Sequence, residues 1–423
     1  MTTTINNEHN KLNVPNHRFK EFEGEWEEHY LSDYLDFKNG LNPKPDKFGK
    51  GIKFISVMDI LNNTVITNDC IRASVDVSED ELQNFCIENG DMLFQRSSET
   101  LEDVGRANVY MDNKPAVFGG FVIRGKKKAE YNPLFFRYLL ASPFARKKII
   151  PMGAGAQHFN IGQEGLNRVR LHFASLDEQK KIAQFLSLLD ERIATQNKVI
   201  EDLKKLKCAI IEDLYCSPKQ RKPKRRFLEY SSQLSSYRMK DFCERITDKN
   251  KENKCSLVLT IAAQDGLVDQ ETFFNKSVAS ENLTGYYILH NGDFAYNRSY
   301  SSGYAWGTVK RLDKYKEGVL STLYICFKVN ESIVDSDYLS YYFESTKWHK
   351  GVSDISGEGA RNHGLLNISV TDYFNTEHRF PPIEEQKRIA SILNALTVKE
   401  QKATELEKMY SKQKQYLLRQ MFI

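Results

Sequence analysis

A stretch of about forty residues occurs twice in this chain, and this repeat constrains the fold more than any other feature. Residues 175–215 align without a gap to residues 382–422 when the numbering is shifted by 207. The closest match is LDEQKKIA at 176–183, which returns as IEEQKRIA at 383–390. A gapless repeat of this length indicates a duplicated unit rather than chance similarity. We therefore expect two copies of one body, each followed by the same element.

The repeated element is predicted to be a long helix with a coiled-coil seam. Apolar residues recur at alternating intervals of four and three, which is typical of a seam rather than of a broad apolar stripe. Only Gln196 and Lys207 interrupt the first seam, which is formed by Ile182, Leu186, Leu189, Ile193, Ile200, Leu203, Ile210 and Leu214. Glu400 and Glu407 fall on the second seam. Some forty residues of helix make a rod on the order of 60 Å long, which suits a spacer.

The remaining residues form two bodies that share a frame and differ in content. NGDMLFQRS at 89–97 returns as NGDFAYNRS at 291–299, and GAGA at 153–156 returns as GEGA at 357–360. Between these landmarks the two copies diverge almost completely. The first body combines β-like runs at 53–57 and 117–123 with a helical stretch at 133–150, which indicates a mixed α/β domain.

The predicted fold class is α+β. Two mixed α/β domains are separated by two long helices, which form an antiparallel coiled coil, with a pseudo-twofold internal repeat. The predicted domains are a flexible tail at 1–16, α/β domain 1 at 17–173, helix 1 at 174–215, a basic linker at 216–235, α/β domain 2 at 236–380 and helix 2 at 381–423. The linker has two open interpretations, a solvated hinge or a strap that contacts phosphates.

Composition excludes several classes of protein. The seven cysteines form no CxxC pair and no zinc-like cluster with histidine, so a reduced, cytoplasmic protein is expected. No apolar run reaches the ~18 residues that a membrane span requires. No Walker lysine loop or glycine-rich cofactor strand occurs, so we expect no catalytic residue, metal or cofactor in this chain. The net charge of +4 is small, so any affinity for nucleic acid must come from the distribution of charge.

The layout resembles the specificity subunit of Type I restriction-modification systems. The resemblance rests on the two Leu/Ile-x-Glu-Gln-Lys-x-Ile-Ala helix starts and the two Asn-Gly-Asp…Arg-Ser turns, and it covers nearly the whole chain. It implies a non-catalytic subunit. Each of the two α/β bodies would be a target-recognition domain that reads half of a bipartite, gapped site on double-stranded DNA. The helices would set the gap and dock methyltransferase subunits, expected to be two. S-adenosylmethionine, ATP and Mg would then serve those partners and the restriction/translocase subunits.

Candidate site residues lie at the repeated landmarks. Arginine can reach guanine with two donors, hydroxyls suit phosphate or base edges, and Gln or Asn can pair with adenine. The predicted DNA contacts are Arg96, Ser97, Gln157, His158, Arg298, Ser299, Tyr300, Arg361, Asn362 and His363. A structural role is the alternative for both sets of residues. The Arg-Ser pairs could cap a turn or form salt bridges with Asp91 and Asp293. The Gly-Ala segments could only shape the turn into each helix. The predicted partner-docking residues at the helix starts are Gln179, Lys180, Gln386 and Lys387.

Two other classes of function stay open. A stand-alone nuclease or methyltransferase with a duplicated DNA-binding region is disfavoured, because two bodies and two rods use up the chain. A coiled-coil scaffold without DNA reading is disfavoured, because divergent loops on a common frame are typical of readers that differ in their target.

Overall fold

The computed structural model describes residues 2–3, 13–276, 282–299, 303–357 and 364–423. The chain divides into two compact units, residues 1–198 with 404–423 and residues 199–403. Each unit therefore contains one body together with part of each long helix. No helix in the described ranges is both long and apolar enough to cross a membrane.

Within its described residues, the first unit contains thirteen short strands and six short helices besides the long ones. Its strands are β1 Thr2–Thr3, β2 His17–Arg18, β3 Glu27–Tyr30, β4 Leu35–Asn39, β5 Phe48–Ile55, β6 Ser74–Val75, β7 Met92–Gln95, β8 Ser97–Ser98, β9 Ala107–Val109, β10 Ala116–Phe118, β11 Val122–Lys127, β12 Phe159–Asn160 and β13 Arg170–Phe173. Its helices are α1 Leu31–Tyr34, α2 Val57–Asn62, α3 Glu79–Phe85, α4 Pro133–Ala141, α5 Pro143–Ile149 and α6 Gln163–Asn167, with 3-10 turns at Pro45–Lys47, Asn68–Cys70, Leu101–Asp103 and Ile150–Met152. The long helix α7 spans Leu176–Leu214.

The second unit contains ten strands and five short helices within its described residues, and the strands of its central sheet follow in the same order as those of the first unit. Its strands are β14 Ser235–Arg238, β15 Cys243–Arg245, β16 Leu259–Ala262, β17 Gly266–Asp269, β18 Tyr287–His290, β19 Phe294–Asn297, β20 Thr308–Arg311, β21 Glu317–Leu320, β22 Ile325–Val329 and β23 Glu377–Phe380. Its helices are α8 Met239–Phe242, α9 Gln270–Phe274, α10 Ser336–Glu344, α11 His349–Ile355 and α12 Val370–Phe374, and the long helix α13 spans Ile383–Gln420.

A four-stranded antiparallel sheet lies at the centre of each body. The strand order is β4-β11-β7-β9 in the first unit and β15-β22-β19-β20 in the second. The two orders correspond strand for strand, although the loops differ. In both sheets the strand that follows the Asn-Gly-Asp turn is an inner strand, and the core residues Phe94 and Tyr296 on these strands are fully buried. The common frame is therefore a common sheet.

Two sequence predictions for the first body were wrong in detail. The helical stretch expected at 133–150 is broken into α4 and α5 at Ser142, because Pro143 lacks an N–H and restrains the preceding residue to an extended conformation. The β-like run at 117–123 is two strands, β10 and β11, separated by a turn at Gly119–Phe121.

The long helices pair as the seam predicts. Every predicted seam position of α7 is buried or half-buried, while its neighbours are largely exposed. In the first unit Leu186 shares a core with Leu417 and Phe422, and in the second unit Ile211 shares a core with Leu393. The start of α7 thus meets the end of α13, and the end of α7 meets the start of α13, which is antiparallel pairing.

Two of the polar seam positions, Lys207 of α7 and Glu400 of α13, pair with each other. Lys207 Nζ lies 3.9 Å from a carboxylate oxygen of Glu400, and both side chains are largely buried in the second unit. Leu406 and Met409, which flank the second seam, stay exposed. The register of the second helix therefore follows the repeat in spite of its glutamates.

Candidate nucleic-acid interface

The Arg-Ser landmark of the first body leaves the sheet at a fixed point. All four residues of β7 are buried. The turn before this strand is closed by Asp91, whose carboxylate accepts the N–H groups of Glu88 and Lys127 at 3.0 Å each. Burial raises the pKa of the Asp91 carboxyl above its ordinary value. Because both ends of the strand are anchored, Arg96 emerges in a defined position.

Arg96 is held between two other segments of the first body. Its N–H donates to the carbonyl of Phe121 at 2.9 Å, and its Nη1 donates to the carbonyl of Gly120 at 3.1 Å. Its own carbonyl accepts the N–H of Ile161 at 2.9 Å. The arginine therefore joins the turn between β10 and β11 to the segment that precedes α6. We call the region where these segments meet the junction of the first body.

The Arg-Ser and Gly-Ala landmarks, which are about sixty residues apart in sequence, form one β element. β8 pairs antiparallel with β12, with Ser97 opposite Asn160 and Ser98 opposite Phe159. The Ser97 hydroxyl donates to the side-chain oxygen of Asn160. The sequence predicted both landmarks as DNA contacts, and the structure places them side by side.

The loop that carries Gln157 and His158 is closed at its base and exposed at its tip. Ala154 and Asn160 exchange backbone hydrogen bonds of 2.9 and 2.8 Å. Gly155 has φ +147°, and a Cβ at this position would lie 1.9 Å from the carbonyl oxygen of His158. Glycine is required there, since any other residue would open the loop. Gln157 and His158 are exposed at the tip, where a ligand could reach both side chains.

The second body builds the same junction around Arg298. Its Nη1 donates to the carbonyl of Ile368 at 2.9 Å, and its Nη2 donates to the carbonyl of Leu323 at 3.0 Å. Its own carbonyl accepts the N–H of Leu366 at 2.9 Å, and Ser299 forms a β-bridge with Leu365. The remaining predicted contacts of this body, Tyr300, Arg361, Asn362 and His363, lie outside the described residues.

The proposed salt bridges with the turn aspartates do not form in the described chain. Asp293 accepts the N–H of His290 at 2.7 Å, as Asp91 accepts backbone donors in the first body, and burial raises its pKa above the ordinary value. The guanidinium groups of Arg96 and Arg298 instead bind backbone carbonyls. Both arginines therefore brace the junction, and their contact with a base stays a prediction.

The comparison with known families bears on the first body and most of α7. Residues 23–205 match the family described as the Type I restriction modification DNA specificity domain. The first body and most of α7 are thus similar to the specificity subunits of Type I restriction-modification systems. The match covers the Arg-Ser strand, the Gln157 loop and the first helix start.

Two curated relatives align with part of the chain. The putative type I restriction enzyme MjaX specificity subunit of Methanocaldococcus jannaschii is 27% identical over 196 residues, which cover 45% of this chain and 45% of that protein. The type I restriction enzyme EcoKI specificity subunit of Escherichia coli K12 is 27% identical over 117 residues, which cover 27% of this chain and 25% of that protein. The matched region thus covers less than half of the length of each relative.

Solved structures share the fold over almost the whole chain. The Type-I restriction-modification system S subunit from M. genitalium matches with a TM-score of 0.55 and 13% identity, over 97% of this chain and 99% of that one. A chain from a structure on complex assembly and conformational transition of the type I R-M system matches with a TM-score of 0.54 and 13% identity, over 93% and 96% of the two chains. At this identity the likeness establishes the fold alone.

The glutamines at the two helix starts face inwards. Gln179 accepts the N–H of Asn132 at 3.0 Å and donates to the carbonyl of Ala174 at 2.9 Å. Gln386 accepts the N–H of Asp335 at 2.9 Å and donates to the carbonyl of Pro381 at 2.8 Å. Since both amides are buried and used internally, they tie each body to its helix and are not offered to a partner.

The lysines next to these glutamines are exposed. Lys180 lies 3.1 Å from Asp177 and Lys387 lies 3.8 Å from Glu384, and each pair is on the surface of the first helical turn. Such pairs contribute little to stability in water, so both lysines remain accessible. Docking of a partner by Lys180 and Lys387 stays a prediction.

Sequence reasoning missed a pair of buried ion pairs. Arg18 donates from Nε and Nη2 to the two carboxylate oxygens of Glu178 at 2.8 Å each, and Arg226 does the same to Glu385 at 2.8 and 2.6 Å. Both glutamates are almost fully buried. The signal was present, because RFKEF at 18–22 returns as RFLEY at 226–230. The repeat thus begins inside the segment that was interpreted as a basic linker, and Arg226 anchors that segment.

The described residues contain no group of three or more His, Cys, Asp or Glu side chains placed to hold a metal ion. The junctions instead offer guanidinium groups, hydroxyls, an exposed amide and an imidazole. These groups form hydrogen bonds with base edges and phosphates.

Proposed function

We propose that this chain is the specificity subunit of a Type I restriction-modification system, and that it reads a bipartite, gapped sequence on double-stranded DNA, one half-site with each body. The junction around Arg96 would contact the first half-site, and the junction around Arg298 would contact the second. The long helices would set the gap between the half-sites. Two methyltransferase subunits would dock on the helical regions.

One observation carries the proposal. In each body the Arg-Ser segment meets the segment that precedes the long helix, and hydrogen bonds to backbone groups join the arginine to the segments on both its sides. The frame is the same in both bodies, while the loops at the junction differ in sequence. A fixed frame with variable loops supports two readers of different sequence, because rigid elements place side chains that loops then vary.

The chemistry would belong to the partners. A methyltransferase subunit would transfer a methyl group from S-adenosylmethionine to adenine N6. Restriction/translocase subunits would use ATP and Mg for cleavage. This chain would supply the sequence specificity on DNA and the surface on which the partner subunits dock.

A methylation map tests the proposal directly. Adenine methylation is mapped at single-base resolution in the host genome with and without this gene, in cells that express the cognate methyltransferase. We expect one gapped, bipartite motif to lose methylation on both strands. If the two maps are identical, the chain does not direct methylation, and a scaffold without DNA reading becomes the better description.

Exchange of one body tests the division of labour. Residues 237–380 are replaced by those of a relative with a different target. Arg226 and Glu385 lie outside the exchanged segment, so the buried ion pair is kept. We expect one half-site of the methylated motif to change and the other to stay. A change in both half-sites, or in neither, would contradict the assignment of one half-site to each body.

A further inference from the structure

Two large apolar side chains project from the same position of the two bodies. Phe121 is 67% exposed and Leu323 is 63% exposed, and the two correspond when the numbering is shifted by 202. Their neighbours Phe118 and Leu320 are fully buried. A single exposed apolar residue needs no explanation. The same exposed position in two bodies of divergent sequence does.

Hydrogen bonds from Arg96 and Arg298 fix the backbone at Phe121 and Leu323. The Phe121 carbonyl accepts the N–H of Arg96 at 2.9 Å, and the Leu323 carbonyl accepts Nη2 of Arg298 at 3.0 Å. On the other side of the first turn, the Gly119 N–H donates to the Ile55 carbonyl at 3.0 Å. Each apolar side chain therefore stands on a rigid turn beside an arginine. A preorganised group loses little conformational freedom on binding.

The two side chains have no evident role in folding. Neither belongs to a hydrophobic core within the described ranges of its unit. Their hydrogen bonds to the arginines come from the backbone, so the turns do not need these side chains. A solvated apolar group that costs nothing to remove, yet occurs in both copies, is typical of a surface that becomes buried on binding.

We infer that Phe121 and Leu323 insert into the DNA groove and make apolar contacts with a base of their half-sites; the inference rests on the proposed function. Base edges present apolar surface, above all the thymine methyl group, to apolar side chains beside an arginine. Phenylalanine and leucine are also the residues that wedge between base steps. The contact would add sequence preference next to each arginine.

Binding of purified specificity subunit in complex with its methyltransferase subunits tests the inference. The probes are duplexes that carry the mapped motif, the same motif with one half-site scrambled, and a duplex without the motif. We expect Phe121→Ala to weaken binding of the motif by about 10-fold, from the loss of buried apolar area, and Phe121→Leu to keep most of the affinity. Leu323→Ala should act through the other half-site, and Leu323→Met should retain affinity.

Controls separate the possible outcomes. Leu228 is fully exposed and remote from both turns in sequence, so Leu228→Ala should bind as the unaltered protein does. If Phe121→Ala and Leu323→Ala bind the motif normally while the unaltered complex discriminates motif from non-motif DNA, the inference is wrong and the proposed function stands. If the variants instead fail to assemble with the methyltransferase, the apolar side chains contact a protein and not DNA. If the unaltered complex does not discriminate, the proposed function and the inference fail together.

Uracil in place of thymine distinguishes the kind of base contact. If the side chain touches a thymine methyl group, one such replacement in its half-site should reproduce the loss of affinity seen with Phe121→Ala. If the side chain is a wedge, uracil should have no effect, and the bend of a dye-labelled duplex should be smaller with the variant. Affinity loss without either result would overturn the assignment of a base contact.

Discussion

Arg226 donates two hydrogen bonds to the buried carboxylate of Glu385, from Nε to Oε1 at 2.8 Å and from Nη2 to Oε2 at 2.6 Å. Glu385 lies in the first turn of α13, and Arg226 lies in the segment that precedes the second body. The ion pair thus fixes the entry of the second body to its helix, as Arg18 and Glu178 do in the first unit.

Removing this arginine should destabilise the second unit. Arg226→Ala leaves Glu385 as an uncompensated charge at 2% exposure, so we expect a loss of about 3 kcal/mol in the free energy of unfolding. The neighbouring Arg225 provides a matched control, because its side chain is 82% exposed. Arg225→Ala should cost less than about 0.5 kcal/mol. Urea unfolding of both variants measures the difference, and equal effects would show that the buried pair is not stabilising.

Buried His378 should make the second unit less stable in acid. Burial lowers the pKa of this imidazole from 6.5 to about 3, and the ring contacts Tyr342 Oη at 3.0 Å and Thr376 Oγ1 at 2.9 Å. Below pH 6.5 the unfolded state binds a proton that the folded state does not. Stability is therefore lost as pH falls from about 6.5 towards 3, by about 1.4 kcal/mol per pH unit.

Unfolding measurements at several pH values test this expectation. His378→Asn should lower stability at pH 7 but flatten the dependence between pH 6.5 and 5. Half-buried His349, whose pKa burial also lowers, contributes in the same direction and remains in the variant. An unchanged slope in His378→Asn would assign the acid sensitivity to other groups.

The buried glutamines should matter for stability rather than for docking. Gln386→Ala leaves the Asp335 N–H and the Pro381 carbonyl without their partner, and we expect a loss of about 2 kcal/mol in the free energy of unfolding. Lys387→Ala, one residue on, should leave stability unchanged. If the two substitutions have the same effect on the melting temperature, the amide does not tie the body to its helix.

The exposed lysines should matter for assembly rather than for stability. Lys180→Glu and Lys387→Glu together should weaken capture of methyltransferase subunits by about 10-fold, because charge at an interface rim sets encounter and register. Lys198→Glu, at an exposed position of α7, is the matched control. Titration of the partner by mass photometry measures the affinity. Docking at the helix starts is excluded if the double variant assembles like the control.

The loop of the first junction should fail when its glycine is replaced. Gly155→Ala would place a Cβ 1.9 Å from a carbonyl oxygen, so the loop must open and move Gln157 and His158. We expect the methylated motif to lose preference in the first half-site only, while the complex still assembles. Gly285→Ala is the control, since nothing lies within 4 Å of its added Cβ. Retention of both half-sites by Gly155→Ala would remove this loop from recognition.

The sequence by itself determined the repeat, the long helices and the shared frame of two mixed α/β bodies. Helix 1 was predicted at 174–215 and spans Leu176–Leu214, and helix 2 was predicted at 381–423 and spans Ile383–Gln420. These predictions succeeded because the seam spacing and the helix-start residues are local sequence signals, and each copy of the repeat contains them.

Tertiary structure alone decided which distant residues meet. The pairing of Ser97 with Asn160, the inward direction of Gln179 and the ion pair of Arg226 with Glu385 each join segments that no local pattern connects. The turn that exposes Phe121 lies inside an apolar run at 117–123. The periodicity of this run does not distinguish one continuous strand from two strands joined by a turn. Contacts between distant segments depend on how the whole sheet closes, and that information is spread over the entire chain.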